Sequence, residues 1–120
     1  KGDNYKVKKI NKKIRKIALA QSISKKNNNK ELHIFGDIKK EIKKTKIFND
    51  FLTKNKINNV LIVSDKETQK NIFKSVRNIK DVKLISDDGT NVYDMFKFKN
   101  VLFTTSSIKN IQKRLINEKN

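Results

Sequence analysis

Val60-Leu61-Ile62-Val63-Ser64-Asp65-Lys66-Glu67 is the stretch that decides the fold. Four apolar residues in succession, three of them β-branched, do not alternate with polar ones. That is the pattern of a parallel strand covered on both faces. Ser64-Asp65-Lys66-Glu67 then reads as a capping box at a strand-to-helix junction. Ile72, Phe73, Val76 and Ile79 follow at helical spacing and predict a helix over 66–79. Val82–Ile85 supplies a second short apolar run, so the segment is a strand–helix–strand unit.

The same alternation extends in both directions. Leu32–Phe35 and Val101–Phe103 are two further runs of strand length. Between them, Ile47, Phe48, Phe51 and Leu52 predict the apolar face of a helix over 45–56. Val92, Met95 and Phe96 do the same for 91–98, with Thr90 as cap and Gly89 in the tight turn before it. Ile108, Ile111 and Leu115 mark a terminal helix, capped by Ser106 or Ser107. The pattern implies one α/β domain of three layers, a parallel sheet of about four strands with helices on both faces.

Upstream, Ile10, Ile14 and Ile17 recur at spacings of four and three, and Leu19 and Ile23 widen the apolar surface. Lys9, Lys12, Lys13 and Lys16 form a basic stripe beside it. The helix ends in the polar run Lys25–Lys30. Residues 1–9 are polar and basic without apolar periodicity, and read as an extended arm ahead of a domain covering 10–120.

Charge indicates the partner. The 120 residues hold 30 Lys and Arg against 12 Asp and Glu, a formal net charge of +18. Folding does not require such an excess, and self-repulsion opposes it. A dense polyanion against the surface accounts for it, because phosphates reward lysines by releasing counterions. Residues 1–56 carry +13 and residues 57–120 carry +5, so the first half is the main electrostatic footprint. Only Arg15, Arg77 and Arg114 are arginine. Lysine binds phosphate as a point charge, whereas arginine supplies bidentate readout, so backbone and shape recognition is expected.

Several kinds of chemistry are poorly served. There is no cysteine, which removes disulfides, thiolate zinc sites and a cysteine nucleophile. His33, the one histidine, lies in an apolar run and suits packing in or beside a strand. Gly2, Gly36 and Gly89 are too few and too scattered for a Gly-rich phosphate loop. No apolar run approaches the ~20 residues that span a bilayer. An alternative reading makes the chain a small regulatory or metal-dependent α/β enzyme using Asp37, Asp65 and Asp87 at strand ends. The competing role for these residues, with Asp88, is capping helices and shaping turns. No catalytic residue, metal or cofactor is expected. A third reading is a basic module for acidic proteins.

Candidate RNA contacts follow from position. Tyr5, in the basic arm, can stack on a base, with Lys6, Lys8 and Lys9 beside it. Tyr93 falls in a helix expected to be packed. Arg77-Asn78 ends a helix next to Lys80, where it can touch RNA or simply complement the helix dipole.

The order of these motifs resembles the second half of the bacterial-type large-subunit ribosomal protein four family. Ile10-Asn11-Lys12-Lys13-Ile14-Arg15-Lys16-Ile17-Ala18-Leu19 is similar to its basic helix, and Lys44-Thr45-Lys46 to its Lys-Thr-Lys helix start. Val60–Asp65 is similar to its central strand, Arg77-Asn78 to its Arg-Asn pair, and Val101-Leu102-Phe103-Thr104 to its last strand. Gly89-Thr90-Asn91-Val92-Tyr93-Asp94 is the most specific match, with Thr90 in place of the family's Leu.

The resemblance implies a Rossmann-like domain and a non-enzymatic, structural constituent of the large ribosomal subunit. It implies binding to large-subunit ribosomal RNA beside neighbouring ribosomal proteins, without a membrane partner or a homo-oligomer. The ribosome would be that of a bacterial cytoplasm, a mitochondrion or a plastid. Lys12, Lys13, Arg15, Lys16, Lys44, Lys46, Arg77 and Asn78 would lie nearest RNA. The family's first strand, first helix and long tunnel loop would precede residue 1, and residues 1–9 would be the loop's returning end. Some bacterial members also repress their own operon by binding its messenger leader.

Overall fold

The computed structural model describes residues 2–39, 41, 42 and 44–116, with side chains from Lys12 onward. The elements run α1 (Gly2–Asn28), β1 (Leu32–Phe35), α2 (Thr45–Lys54), β2 (Val60–Ser64) and α3 (Lys66–Val76). They continue with β3 (Val82–Ser86), a 3-10 turn at Asp87–Gly89, α4 (Val92–Lys97), β4 (Asn100–Thr104) and α5 (Thr105–Ile116). The four strands form one parallel sheet in the order β1-β4-β2-β3.

Layering follows from the direction of each crossover. The chain moves across the sheet from β1 to β2 and on to β3, with α2 and α3 on one face. It then turns back to insert β4 between β1 and β2. A crossover of constant hand that reverses direction must place its helix on the other face. Accordingly α4, α5 and the end of α1 pack on that face.

Each face has its own core. Phe48, Leu52, Ile72 and Val76 meet Val60, Ile62 and Leu102 on one side. Leu19, Met95 and Ile111 meet Leu61, Val63, Val101 and Phe103 on the other. Adjacent residues of β2 and β4 thus alternate between two apolar layers, which is why neither run alternates with polar residues. Every residue of β2 and β4 is buried, whereas the edge strands β1 and β3 are only partly so.

Three expectations need correction. The arm expected to be extended over 1–9 is helical from Gly2 onward. Lysine is a good helix former, the stretch has no proline, and its one glycine sits at the end. The apolar stripe expected of Ile14 and Ile17 is not buried; they are 56% and 54% exposed. Leu19 and Ile23, on a different side of α1, make the core contact instead. The other helices bury a narrower face than their spacing suggested: Ile47, Phe51, Phe73 and Phe96 are exposed.

α1 is therefore a projecting element. Its 27 residues span about 40 Å at helical rise, and the molecule measures 53 × 28 × 21 Å. Its carboxyl end is pinned by Lys26, whose ammonium donates to the carbonyls of Phe98 and Lys99, each at 2.8 Å. Glu31 sits 3.6 Å from the same ammonium.

Candidate nucleic-acid interface

The projecting helix turns one side of α1 into a groove wall. Positions 12, 16, 19 and 23 fall on one side at spacings of four, three and four. Leu19 and Ile23 meet the sheet's apolar layer. Lys12, Arg15 and Lys16 continue that side where the helix runs past the core. With Lys113, Arg114 and Leu115 of α5 and the Asp88–Val92 segment, they line a groove of about 820 Å³. Five of these side chains are cationic and Asp88 is the one carboxylate among them. Arg114 is anchored there, its guanidinium donating to the Asp87 carbonyl at 3.1 Å and more weakly to that of Asp88 at 3.4 Å. Lys113 and Arg114 were legible only as the last turn of an amphipathic helix; their meeting with α1 is tertiary.

The remaining candidate residues do not converge on this groove. Lys44 and Lys46 flank the start of α2 and are exposed, on the opposite face and at the carboxyl end of the sheet. Arg77 and Asn78 are exposed on that face too, but at the amino end, where α3 stops. The Arg77 guanidinium lies 5.9 Å over the ring of Phe73, an exposed cation–π pair. Lys13 is exposed on α1. Tyr5, Lys6, Lys8 and Lys9 belong to the α1 backbone, but their side chains lie outside the described residues.

The strand-end carboxylates serve the fold. Asp65 caps α3 by accepting the Thr68 amide at 3.3 Å, and also accepts the Thr104 hydroxyl at 3.2 Å. Asp37 accepts the Ser106 amide at 3.1 Å and the Ser106 hydroxyl, at the first turn of α5. That hydroxyl, aided by the amide and the charges of Lys39 and Lys109, holds the Asp37 carboxyl below its usual 3.8. Asp87 accepts the Asn110 side-chain amide at 2.7 Å. Among the described residues no group of three or more His, Cys, Asp or Glu is placed to hold a metal ion. His33 sits half-buried in β1 with its Nε2 3.4 Å from Asn100 Oδ1.

The segment Gly89–Asp94 is a turn held by its own side chains. Asn91, not Thr90, caps α4, accepting the Asp94 amide at 2.9 Å. Its amide group donates to the Gly89 carbonyl and to Asp94 Oδ2. The Thr90 hydroxyl instead donates to the Asp87 carbonyl at 2.9 Å. Asp94 is buried and paired with Lys83 at 3.1 Å. Tyr93, expected to be packed, is 71% exposed: α4 turns Val92 and Met95 inward, which leaves the next residue facing outward.

Fold and site together define a three-layer α/β protein whose charged feature is a basic groove rather than a cleft of converging carboxylates. The family model for the ribosomal protein L4/L1 family matches residues 1–114, and the chain belongs to that family. Its relatives include the large ribosomal subunit protein uL4 of Pelagibacter ubique, 44% identical over 110 residues. That alignment covers 92% of this chain and 53% of the relative. The proteins of the same name from Desulforapulum autotrophicum and Clostridium botulinum are 39% and 32% identical, over 88% and 86% of this chain and 50% of each relative. The chain thus spans about half the length of the curated relatives it matches. No described helix is long and apolar enough to cross a membrane.

Proposed function

We propose that the chain is a structural constituent of the large ribosomal subunit that binds large-subunit ribosomal RNA through its lysine-rich surface. Membership of a family of ribosomal proteins supports the first part. The observation that carries the second is α1, which holds nine Lys and Arg against one Asp in its 27 residues and overhangs the body. In this reading Lys12, Arg15 and Lys16 of the groove neutralise phosphates of a folded RNA, with Lys113 facing them. Tyr5, Lys6, Lys8, Lys9 and Lys13 extend the contact along the helix. Lys44, Lys46, Arg77 and Asn78 make a second, separate set on the other face, so that the rigid sheet holds neighbouring RNA segments together. Other ribosomal proteins would be its neighbours, and the ribosome its place of action.

The test is sedimentation of native extract on a sucrose gradient, probing for this chain before and after a high-salt wash and ribonuclease digestion. Co-sedimentation with the large subunit that survives the wash and is lost on digestion is expected. A chain that stays at the top of the gradient in every condition contradicts the reading.

A further inference from the structure

The outward side of α4 carries two aromatic rings that the fold does not use. Tyr93 is 71% exposed and Phe96 72%. Three positions apart on a helix, they lie on one side, a turn from each other. Met95 and Val92 take the core contacts of this helix, so neither ring is needed for packing.

Their setting is cationic. Phe96 lines a groove of about 440 Å³ between α4 and α1, with Lys25 on the opposite wall, where Lys26 is held by Glu31 and by the Phe98 and Lys99 carbonyls. Lys97 follows on the same helix. Val92, one turn away from Phe96, also lines the basic groove of Lys12, Arg15 and Lys113. The acidic groups nearby are already matched: Asp94 is buried against Lys83, and Glu31 faces Lys26. Two exposed rings on a helix that walls two lysine-bearing grooves suit a partner that presents flat π-faces and phosphates together. Unpaired RNA does this, whereas a duplex keeps its faces stacked inside.

We infer that Tyr93 and Phe96 form a stacking platform for unpaired nucleotides, with the RNA backbone following α1 between the two grooves. The inference rests on the RNA-binding reading above. It adds a contact that does not depend on charge and that discriminates single strands from duplex.

The chain has two tyrosines and no tryptophan, so Tyr93 is the sole fluorescent reporter of its class in a Tyr5→Phe background. The probes are an oligouridylate of about ten nucleotides, within the usual reach of such platforms, and an RNA duplex of the same length. Binding is followed by anisotropy and by tyrosine emission. The single strand should quench Tyr93. The double variant Tyr93→Ala/Phe96→Ala should bind it roughly 30-fold more weakly or worse, at about 5-fold or more for each ring lost, with an unchanged salt slope and unchanged duplex affinity. Tyr93→Phe should retain the affinity.

Single-strand binding that neither moves Tyr93 emission nor weakens in the double variant overturns the platform while leaving the lysine groove intact. Self-association of the chain that the double variant abolishes also overturns it, since the rings would then form a protein interface. Failure of the unsubstituted chain to bind either RNA overturns the RNA-binding reading itself, and the platform with it.

Discussion

Two stretches of α1 differ in what the same side of one helix does. At its carboxyl end that side carries Leu19 and Ile23, which close the apolar layer over Leu61, Val63, Val101 and Phe103. One and two turns earlier it carries Lys16, Arg15 and Lys12, which face α5 across an open groove. The helix is unbroken from Gly2 to Asn28; what changes is whether the sheet lies beneath it. A charged side chain is costly when buried without a partner but not when it lines a wet groove. Docking and the proposed phosphate binding thus fall on separate stretches of α1, and each should be breakable without the other.

The body should be the more sensitive region to truncation. Phe103, fully buried at the centre of the sheet, should lose about 3–5 kcal/mol on replacement by alanine, through lost transfer energy and a cavity. Urea unfolding measures this; a loss below about 1 kcal/mol would mean that the layer repacks freely. Leu19→Ala strikes the junction. Leu19 is the buried residue of α1 among those described, at 5% exposure. Its truncation should cost about 2–4 kcal/mol and raise hydrogen exchange in α1 before the strands. If exchange rises uniformly, α1 and the body unfold as one unit, and the proposed separation is lost.

Two smaller effects sharpen the description of the body. Asn91→Ala removes the α4 cap and should cost about 1 kcal/mol. Asn91→Asp, which keeps an acceptor, should cost less by the same unfolding measurement. The smallest effect concerns acid. The Asp37 carboxyl is held below 3.8, so its contribution is fully present above that value. It is lost as pH falls from 3.8 through the lower folded value. An Asp37→Asn chain should show a shallower decline of thermal stability over that window, and the same stability difference at every pH would count against the assignment.

The sheet was legible because its centre is chemically monotonous. Val60–Val63 and Val101–Phe103 are buried on both faces, so they read as unbroken apolar runs whatever surrounds them. The Asp65 cap was legible as a turn-shaping carboxylate, since the donor it satisfies lies three residues away, but the capping box was not formed: Ser64 ends β2 with its hydroxyl buried and unpaired among the described residues, and Asp65 caps α3 in its place. What escaped depends on partners distant in the chain. Ile14 and Ile17 have helical spacing, yet both stay more than half exposed, and spacing alone cannot report that. Lys113 and Arg114 carry no spacing signal of their own, and only the placing of α5 beside α1 brings them to the groove. Tyr93 follows a buried-face residue in a helix of only six residues, too short for periodicity to fix its orientation. The extended arm failed for a simpler reason: a lysine-rich stretch free of proline has no apolar pattern but is a competent helix.

The central claim is that the groove residues of α1 bind phosphate and contribute little to the fold. It is tested most directly by titrating large-subunit ribosomal RNA with salt, for the chain and for a Lys12→Gln/Arg15→Gln/Lys16→Gln variant, alongside urea unfolding of both. With about 8 phosphates contacted, the slope of log affinity against log salt should be near −6 to −7. The variant should lose about 2 to 3 from the magnitude of that slope, at roughly 0.8 per contact, with stability unchanged within about 0.5 kcal/mol. An unchanged slope, or a variant that unfolds while its slope stays the same, would contradict the account.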